Sequence, residues 1–169
     1  MPPMRLPRPL LTGPIHAPWA FDALALLGRF AVAAVFWQSG QTKVEGLVID
    51  LVQGTFMLDA PRLAQGAVAL FRDEYRLPLI APEWAALLAA VAEHVLPLLL
   101  LLGAGTRFAA LGLLGMTAVI QLLVYPGAYA THGVWAAALG WLLLLGPGRW
   151  SLDAAWSGWQ PAVQGAAAR

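Results

Sequence analysis

Residues 92–103 read AEHVLPLLLLLG. A glutamate and a histidine stand side by side, ahead of a proline and an unbroken run of leucines. On a soluble helix an ionisable pair occupies a wet face, and this stretch has none. It reads as a membrane helix that carries a charge, so whatever holds Glu93 is the first question the fold must answer.

The whole chain agrees with that reading. Of its 169 residues 60% are hydrophobic and only 11% charged, with a mean hydropathy of +0.69. Soluble domains carry about 25% charged residues, and ten basic with nine acidic side chains cannot cover a soluble surface of this size. A net charge of +1 provides no field for nucleic acid. The absence of cysteine excludes disulfides, thiol relays and cysteine-held clusters within the chain.

A membrane helix needs about 20 mostly apolar residues, and four windows qualify: 20–39, 83–102, 107–125 and 132–146. Inside lipid each backbone polar group must bond within its own segment, which forces helix. The expected fold is all-α, an integral-membrane four-helix bundle over residues 19–150, with one amphipathic or interfacial segment between helices 1 and 2. Residues 1–18, broken by prolines, lack the apolar core of a cleavable signal and read as a cytoplasmic arm. Residues 151–169 read as a tail. Arg5, Arg8, Arg107, Arg149 and Arg169 fall on one side of such a bundle, which by the positive-inside rule places both termini in the cytoplasm. The connection 41–82 is net acidic and is placed on the far side. Within it, RLAQGAVALFRDEY (62–75) aligns Leu63, Ala67, Leu70 and Phe71 on one helical face. It suits either an interfacial helix or a cap on the bundle. GLVIDLVQGTFML (46–58) suits a hairpin or a helix.

Eight tryptophans, among them Trp19, Trp84, Trp135 and Trp150 near span ends, fit interface anchoring. Small residues recur at Ala109, Gly112, Gly115 and Ala118 and at Gly133, Ala136, Ala137 and Gly140, where helices can approach closely. Such faces also permit a homo-oligomer.

Two charges fall near mid-span, Arg29 and Glu93. Each costs roughly 2.5–3.5 kcal/mol at the bilayer centre when unpaired, so an Arg29–Glu93 pair across antiparallel helices is expected. Buried ionisable residues in membranes are functional candidates by default, although such a pair also serves simply to fix helix neighbours. Pro97 lacks the N–H that would bond the Glu93 carbonyl, leaving that oxygen available beside the His94 imidazole. A second polar set comprises Gln38, Ser39, Gln41 and Lys43 at the end of the first span, Gln121 and Tyr125 at i, i+4 in the third, and His132 opening the fourth. Amide, phenol and imidazole are the donors a quinone carbonyl wants, and equally the groups that satisfy helix ends. His16, His94 and His132 show no metal-ligand spacing, and no phosphate loop or HExxH occurs.

The blocks GRF…FWQSGQTK, LFRDEYRLPLIAPEWAALLAAVAEHVLPLLLLLGAGTRFAALGLLGMT and VYPGAYATHGVWAAALGWLLLLGPGRWSLD, spanning about residues 24–154, resemble the DoxX family of small bacterial membrane proteins. The resemblance implies a four-helix inner-membrane protein. Relatives include the small membrane subunit type of thiosulfate:quinone oxidoreductase, members of oxidoreductase complexes that manage thiol or oxidative stress, and proteins encoded beside copper-binding peptide systems. The family's recurrent polar positions fall on Arg29, Lys43, Glu93 and Arg107, and its motif extends to Pro97 and Asp153. Two functions follow as expectations. One is the membrane subunit of a quinone-linked oxidoreductase that takes electrons from a soluble or membrane partner. The other is a non-enzymatic scaffold or small carrier in a stress response.

Overall fold

The computed structural model describes residues 18–50 and 54–157. Most of the expected N-terminal arm, and residues 158–169 of the tail, lie outside them. Four helices are long and apolar enough to cross a membrane: Trp19–Gln41, Pro82–Leu102, Thr106–Val124 and Pro126–Leu145. They comprise α1 (Pro18–Gln41), α3 (Pro82–Leu102), α4 (Thr106–Val119), which continues into a π-helical turn Ile120–Val124, and α5 (Tyr129–Leu145), entered through a 3₁₀ turn Pro126–Ala128. The connection holds a hairpin, β1 (Val44–Asp50) antiparallel to β2 (Thr55–Leu63), then α2 (Gln65–Leu70) and a second π-helical turn Phe71–Tyr75. A short α6 (Leu152–Ser157) follows the bundle.

In sequence order around the bundle, α1 packs on α3, α3 on α4, α4 on α5, and α5 back on α1. Its core is Val32, Phe36, Leu100, Ala109, Ala110, Leu113, Leu139 and Leu142. Leu27, Phe30, Leu88, Val91, Leu111 and Leu122 are exposed on the outside. An apolar exterior around an equally apolar core is a membrane protein's signature, since lipid rewards both faces alike. The first helix starts where the last span ends: the Asp22 carboxylate accepts from the Arg149 backbone N–H at 2.7 Å and from its Nε at 2.6 Å. We refer to that end as the tail end and to the other as the hairpin end.

The segment that could be hairpin or helix is the hairpin, because Trp37 Nε1 donates to the Ile49 carbonyl at 3.3 Å and the Ile49 N–H donates to Gln41 Oε1 at 2.8 Å. These bonds tie β1 down onto the end of α1. The amphipathic stretch is less helical than expected, since Arg62 and Leu63 belong to β2. Its apolar face is nonetheless turned inward: Ala67 and Phe71 are buried, and Phe71 packs against Ala85 and Ala86 of α3. The segment caps the bundle.

The small-residue stripes divide. Ala109 is buried, and a Cβ at Gly112 would meet Leu96 at 2.8 Å, so α4 does close on α3 there. Gly115, Gly133 and Gly140 face open space and bring no helices together. Trp19, Trp84 and Trp150 are exposed at span ends. Trp135 instead packs on Phe36, with ring centroids 5.6 Å apart.

At the tail end, Gly103 ends α3 at φ +69°, and an added Cβ would overlap the Arg29 guanidinium. Gly105 also has positive φ (+58°) but faces open space. A left-handed backbone costs an L-residue about 1–2 kcal/mol, and overpacking typically adds about 1–3 kcal/mol. Gly103→Ala is therefore expected to lower thermal stability in detergent clearly more than Gly105→Ala does. Equal losses would show that Gly103 is required only for its backbone angle.

Candidate functional site

The partner of Glu93 is Lys43. Lys43 Nζ and Glu93 Oε2 lie 2.7 Å apart, with both side chains about 4% exposed. Lys43 sits one residue before β1, and its ammonium folds back over the last turn of α1 to donate to the Ser39 carbonyl at 3.2 Å and to Ser39 Oγ at 3.0 Å. A charge from the connection is thus drawn into the bundle, the reverse of the usual lysine habit of reaching outward.

The expected Arg29–Glu93 pair is not formed. Arg29 is fully buried at the tail end, where Nη1 donates to the Leu101 carbonyl at 3.2 Å and Nη2 to the Trp150 carbonyl. Asp153 lies near enough to interact with it electrostatically. The contact points Glu93 and Leu101 are separated by about 12 Å along α3, at about 1.5 Å rise per residue. Mid-span position in two windows does not mean equal depth, because hydropathy leaves the offset of neighbouring helices open.

Around the pair, α1 and α3 touch closely. Pro97 is buried, and the Glu93 carbonyl it frees faces Gly40, where a Cβ would meet Glu93 O at 3.0 Å and His94 Cε1 at 2.9 Å. His94 stands edge-on to Trp37, centroids 5.0 Å apart. Its Nδ1 lies 2.7 Å from the Ala90 carbonyl and its Nε2 2.9 Å from Gln41 Nε2. A carbonyl only accepts, so Nδ1 carries the proton. The Ile49 N–H fixes Gln41 Oε1, which turns the Gln41 amide N–H toward a bare His94 Nε2. Beside this chain runs a groove of about 310 Å³ between hairpin and α3, lined by apolar side chains including Leu47, Leu87 and Val91, together with Arg62 and His94. Leu87, Val91 and Val95 are exposed on the outside of α3, so the groove is open to lipid.

The remaining candidates separate into two sets. His132, buried at 5% exposure, has Nδ1 2.7 Å from Gln121 Oε1, and Gln121 Nε2 donates to the Pro126 carbonyl at 2.6 Å. Gln121 and Tyr125 do not share a partner as an α-helical i, i+4 pair would, because the chain between them is π-helical. The Tyr125 hydroxyl instead donates to Glu74, and its ring meets Tyr75 edge-on at 5.8 Å. The hydrogen bond to Glu74, with burial and the Tyr75 neighbour, holds the Tyr125 phenol above its ordinary range. Burial raises Tyr75 too, a hydrogen bond with Tyr125 draws it back, and the Glu93 and Glu74 carboxylates push it up again.

Gln38 is exposed and takes no part in any of these sets. At the tail end Asp153 caps α4, accepting from the Gly105 and Thr106 N–H groups at 2.7 and 2.8 Å, while Arg107 is exposed beside it. Among the described residues no group of three or more His, Cys, Asp or Glu is placed to hold a metal. Sequence reasoning passed over Gly40, Tyr75 and Glu74. The recurring tyrosine, one residue before Arg76 in one connection and before Pro126 in the other, was the available signal.

A family model described as DoxX matches residues 24–126. The chain belongs to the DoxX family. No curated protein and no solved structure matches it. Membership agrees with a multi-pass membrane bundle, and the matched range contains both members of the buried Lys43–Glu93 pair of this DoxX protein.

Removing one partner of a buried ion pair typically costs about 3–5 kcal/mol, whereas replacing both with apolar groups is near neutral. Glu93→Leu and Lys43→Met are each expected to destabilise the bundle by about that much, Glu93→Gln by less, and the double variant Lys43→Met/Glu93→Leu by little. A double-mutant cycle on Arg29 and Glu93 should show coupling within about 0.5 kcal/mol, as for separated sites. Large Arg29 coupling and small Lys43 coupling would reverse the assignment.

The two phenols give a pH dependence. Their folded-state ionisation lies above the unfolded value of about 10, so the stability they contribute is complete below that pH and is lost as pH rises beyond it. Tyrosinate absorbance during alkaline titration should show Glu74→Gln moving one phenol to lower pH. An unchanged titration would mean that Glu74 does not hold Tyr125.

Proposed function

We propose that this protein is the membrane subunit of a quinone-linked redox complex, in which the groove beside His94 holds the quinone ring and Glu93 handles its protons. The observation that carries the reading is a buried Lys43–Glu93 pair whose chain neighbours Val44 and His94 line a groove open to lipid. The groove walls fit such a group: they are apolar on both sides, as a lipid-soluble ring requires, and the Arg62 guanidinium in the lining supplies N–H donors suited to carbonyl oxygens. A quinone, when bound, takes up two electrons and two protons. Glu93, paired with Lys43, is the group that accepts or returns a proton, and His94 is held in one tautomer by Ala90 and Gln41. The chain has no cysteine, so electrons come from a soluble or membrane-bound partner. Arg107 and Arg149 at the tail end support cytoplasmic termini in the inner membrane, with the hairpin on the opposite side.

One observation favours the second reading, a non-enzymatic scaffold or carrier. Lys43, Glu93, Asp22 and Arg29 all find partners inside the chain, as charges do when their only task is to fix helix neighbours.

Mass spectrometry of lipid extracts from protein purified in mild detergent separates the two. Wild type is expected to retain near-stoichiometric quinone, and Val91→Trp, which fills the groove from its lipid side, to lose it while the fold stays intact. Folded wild type free of quinone would remove the redox reading and leave the scaffold.

A further inference from the structure

The hairpin has two chemically different faces. In its register Leu47 pairs with Leu58 and Ile49 with Phe56, while Val48 pairs with Met57 and Asp50 with Thr55. Paired residues share a face and successive residues alternate between faces. One face is therefore Leu47, Ile49, Phe56 and Leu58, all apolar. The other mixes Val48 and Met57 with Asp50 and Thr55. The apolar face is the one turned toward the groove, which Leu47 lines together with Leu87 and Val91 of α3. On its outer strand Phe56 is 62% exposed and Leu58 75%, so no described part of the chain covers that half of the face.

We propose that this apolar face of the hairpin is seated on lipid, in the interfacial layer of the bilayer, and does not stand in water. Continuity names lipid as the occupant. Leu87, Val91 and Val95 are exposed on α3 within a membrane span and line the same groove, so the lipid that covers them meets the hairpin's apolar face. Depth names it again. Trp84, exposed at the start of α3, marks the interface, and Leu87 and Val91 come three and seven residues later. At about 1.5 Å per residue that part of the groove wall lies about 5–10 Å inward of Trp84, which is the depth to which interfacial apolar faces are buried. Backbone polarity keeps the hairpin in this layer. The Ile49 N–H and carbonyl are bonded by Gln41 and Trp37 of α1, but β2 is the edge of a two-stranded sheet, and an open edge is not tolerated in hydrocarbon. Acyl chains therefore lie under Phe56 and Leu58, and headgroup water reaches the β2 edge, where Pro61 has no N–H to satisfy. The groove then opens sideways below the headgroups, at the level of the acyl chains. This inference goes beyond the redox reading and does not rest on it.

The chain has no cysteine, so one introduced thiol carries a spin label at one known place. Thr55→Cys, Phe56→Cys, Met57→Cys and Leu58→Cys sample both faces of β2, and all four side chains are exposed, so a label displaces no packed group. Leu88→Cys on the lipid side of α3 and Asp73→Cys on the exposed cap calibrate lipid and water. The full chain is reconstituted in vesicles of phosphatidylethanolamine and phosphatidylglycerol. Power-saturation EPR then compares collisions with oxygen, which concentrates in lipid, and with a water-soluble nickel chelate. The oxygen-to-nickel ratio at Phe56→Cys and Leu58→Cys is expected to approach that at Leu88→Cys and to be several times that at Thr55→Cys and Met57→Cys, giving a period of two along the strand. A ratio like that of Asp73→Cys at all four positions would put the hairpin in water and overturn the proposal. Low collision rates with both reagents at Phe56→Cys and Leu58→Cys, with dipolar broadening between labels, would put a second copy on the face and overturn it equally. The vesicles contain no quinone, so neither result depends on the quinone reading.

Discussion

A cation and an anion buried 2.7 Å apart constrain everything around them. Lys43 enters the bundle where Gly40 lets α1 come against α3, where Trp37 and Gln41 tie the following strand to the end of α1, and where Ser39 shares its remaining donors. Each of these is a local feature with no purpose unless the pair exists. Conversely, an unpaired carboxylate at Glu93 would face a cost of about 2.5–3.5 kcal/mol or more in lipid. The hairpin is therefore part of the membrane core's electrostatics as well as an external loop, and its attachment and the charge pair stabilise each other.

The bundle's two ends solve different problems with similar parts. At the tail end Arg29, Asp22, Arg149 and Asp153 join the beginning of α1, the α3–α4 turn and the segment after α5. Every bond there goes to a backbone group or to a charge that closes the bundle, and the Asp153 carboxylate occupies the α4 N-terminus where the helix dipole favours an anion. At the hairpin end the polar groups form separate pairs, one of which, Gln41–His94, borders a groove open to lipid, while another, Tyr125–Glu74, meets water. The first end fixes helix neighbours, although Arg29 Nε and Thr106 Oγ1 stay buried without a partner there, while the second places polar pairs next to lipid and water.

The four spans were legible because lipid demands long apolar helices, and nothing tertiary can override that. The identity of Glu93 as the pivotal residue was legible for the same reason, since a charge in a leucine-rich span needs an explanation. Its partner was not. Hydropathy orders residues by depth within one helix but leaves the offset between helices free, so it sets Arg29 level with Glu93. The sequence sets Lys43 at the end of the first span, with its Cα outside the apolar window, and a lysine stem is long enough to return from there. Gln121 and Tyr125 were assigned to one face on a 3.6-residue period, and the π turn between them changed that period. Their separation follows from a single inserted residue, which no apolar pattern reveals.

That inserted residue also explains why Gln121 and Tyr125 serve two different sets. With an α-helical end to α4, Gln121 and Tyr125 would point the same way and compete for the same neighbours. The π turn sends the amide to His132 and the Pro126 carbonyl and frees the phenol to reach across to Tyr75 and Glu74. The matching π turn at Phe71–Tyr75 brings the second phenol to meet it. A bundle that needed only stability would be better served by two regular helix ends, each of which satisfies more of its own backbone. Two irregular ends converging at the hairpin end are a departure that packing alone does not reward, and such departures fall where local rules are expected to give way to function.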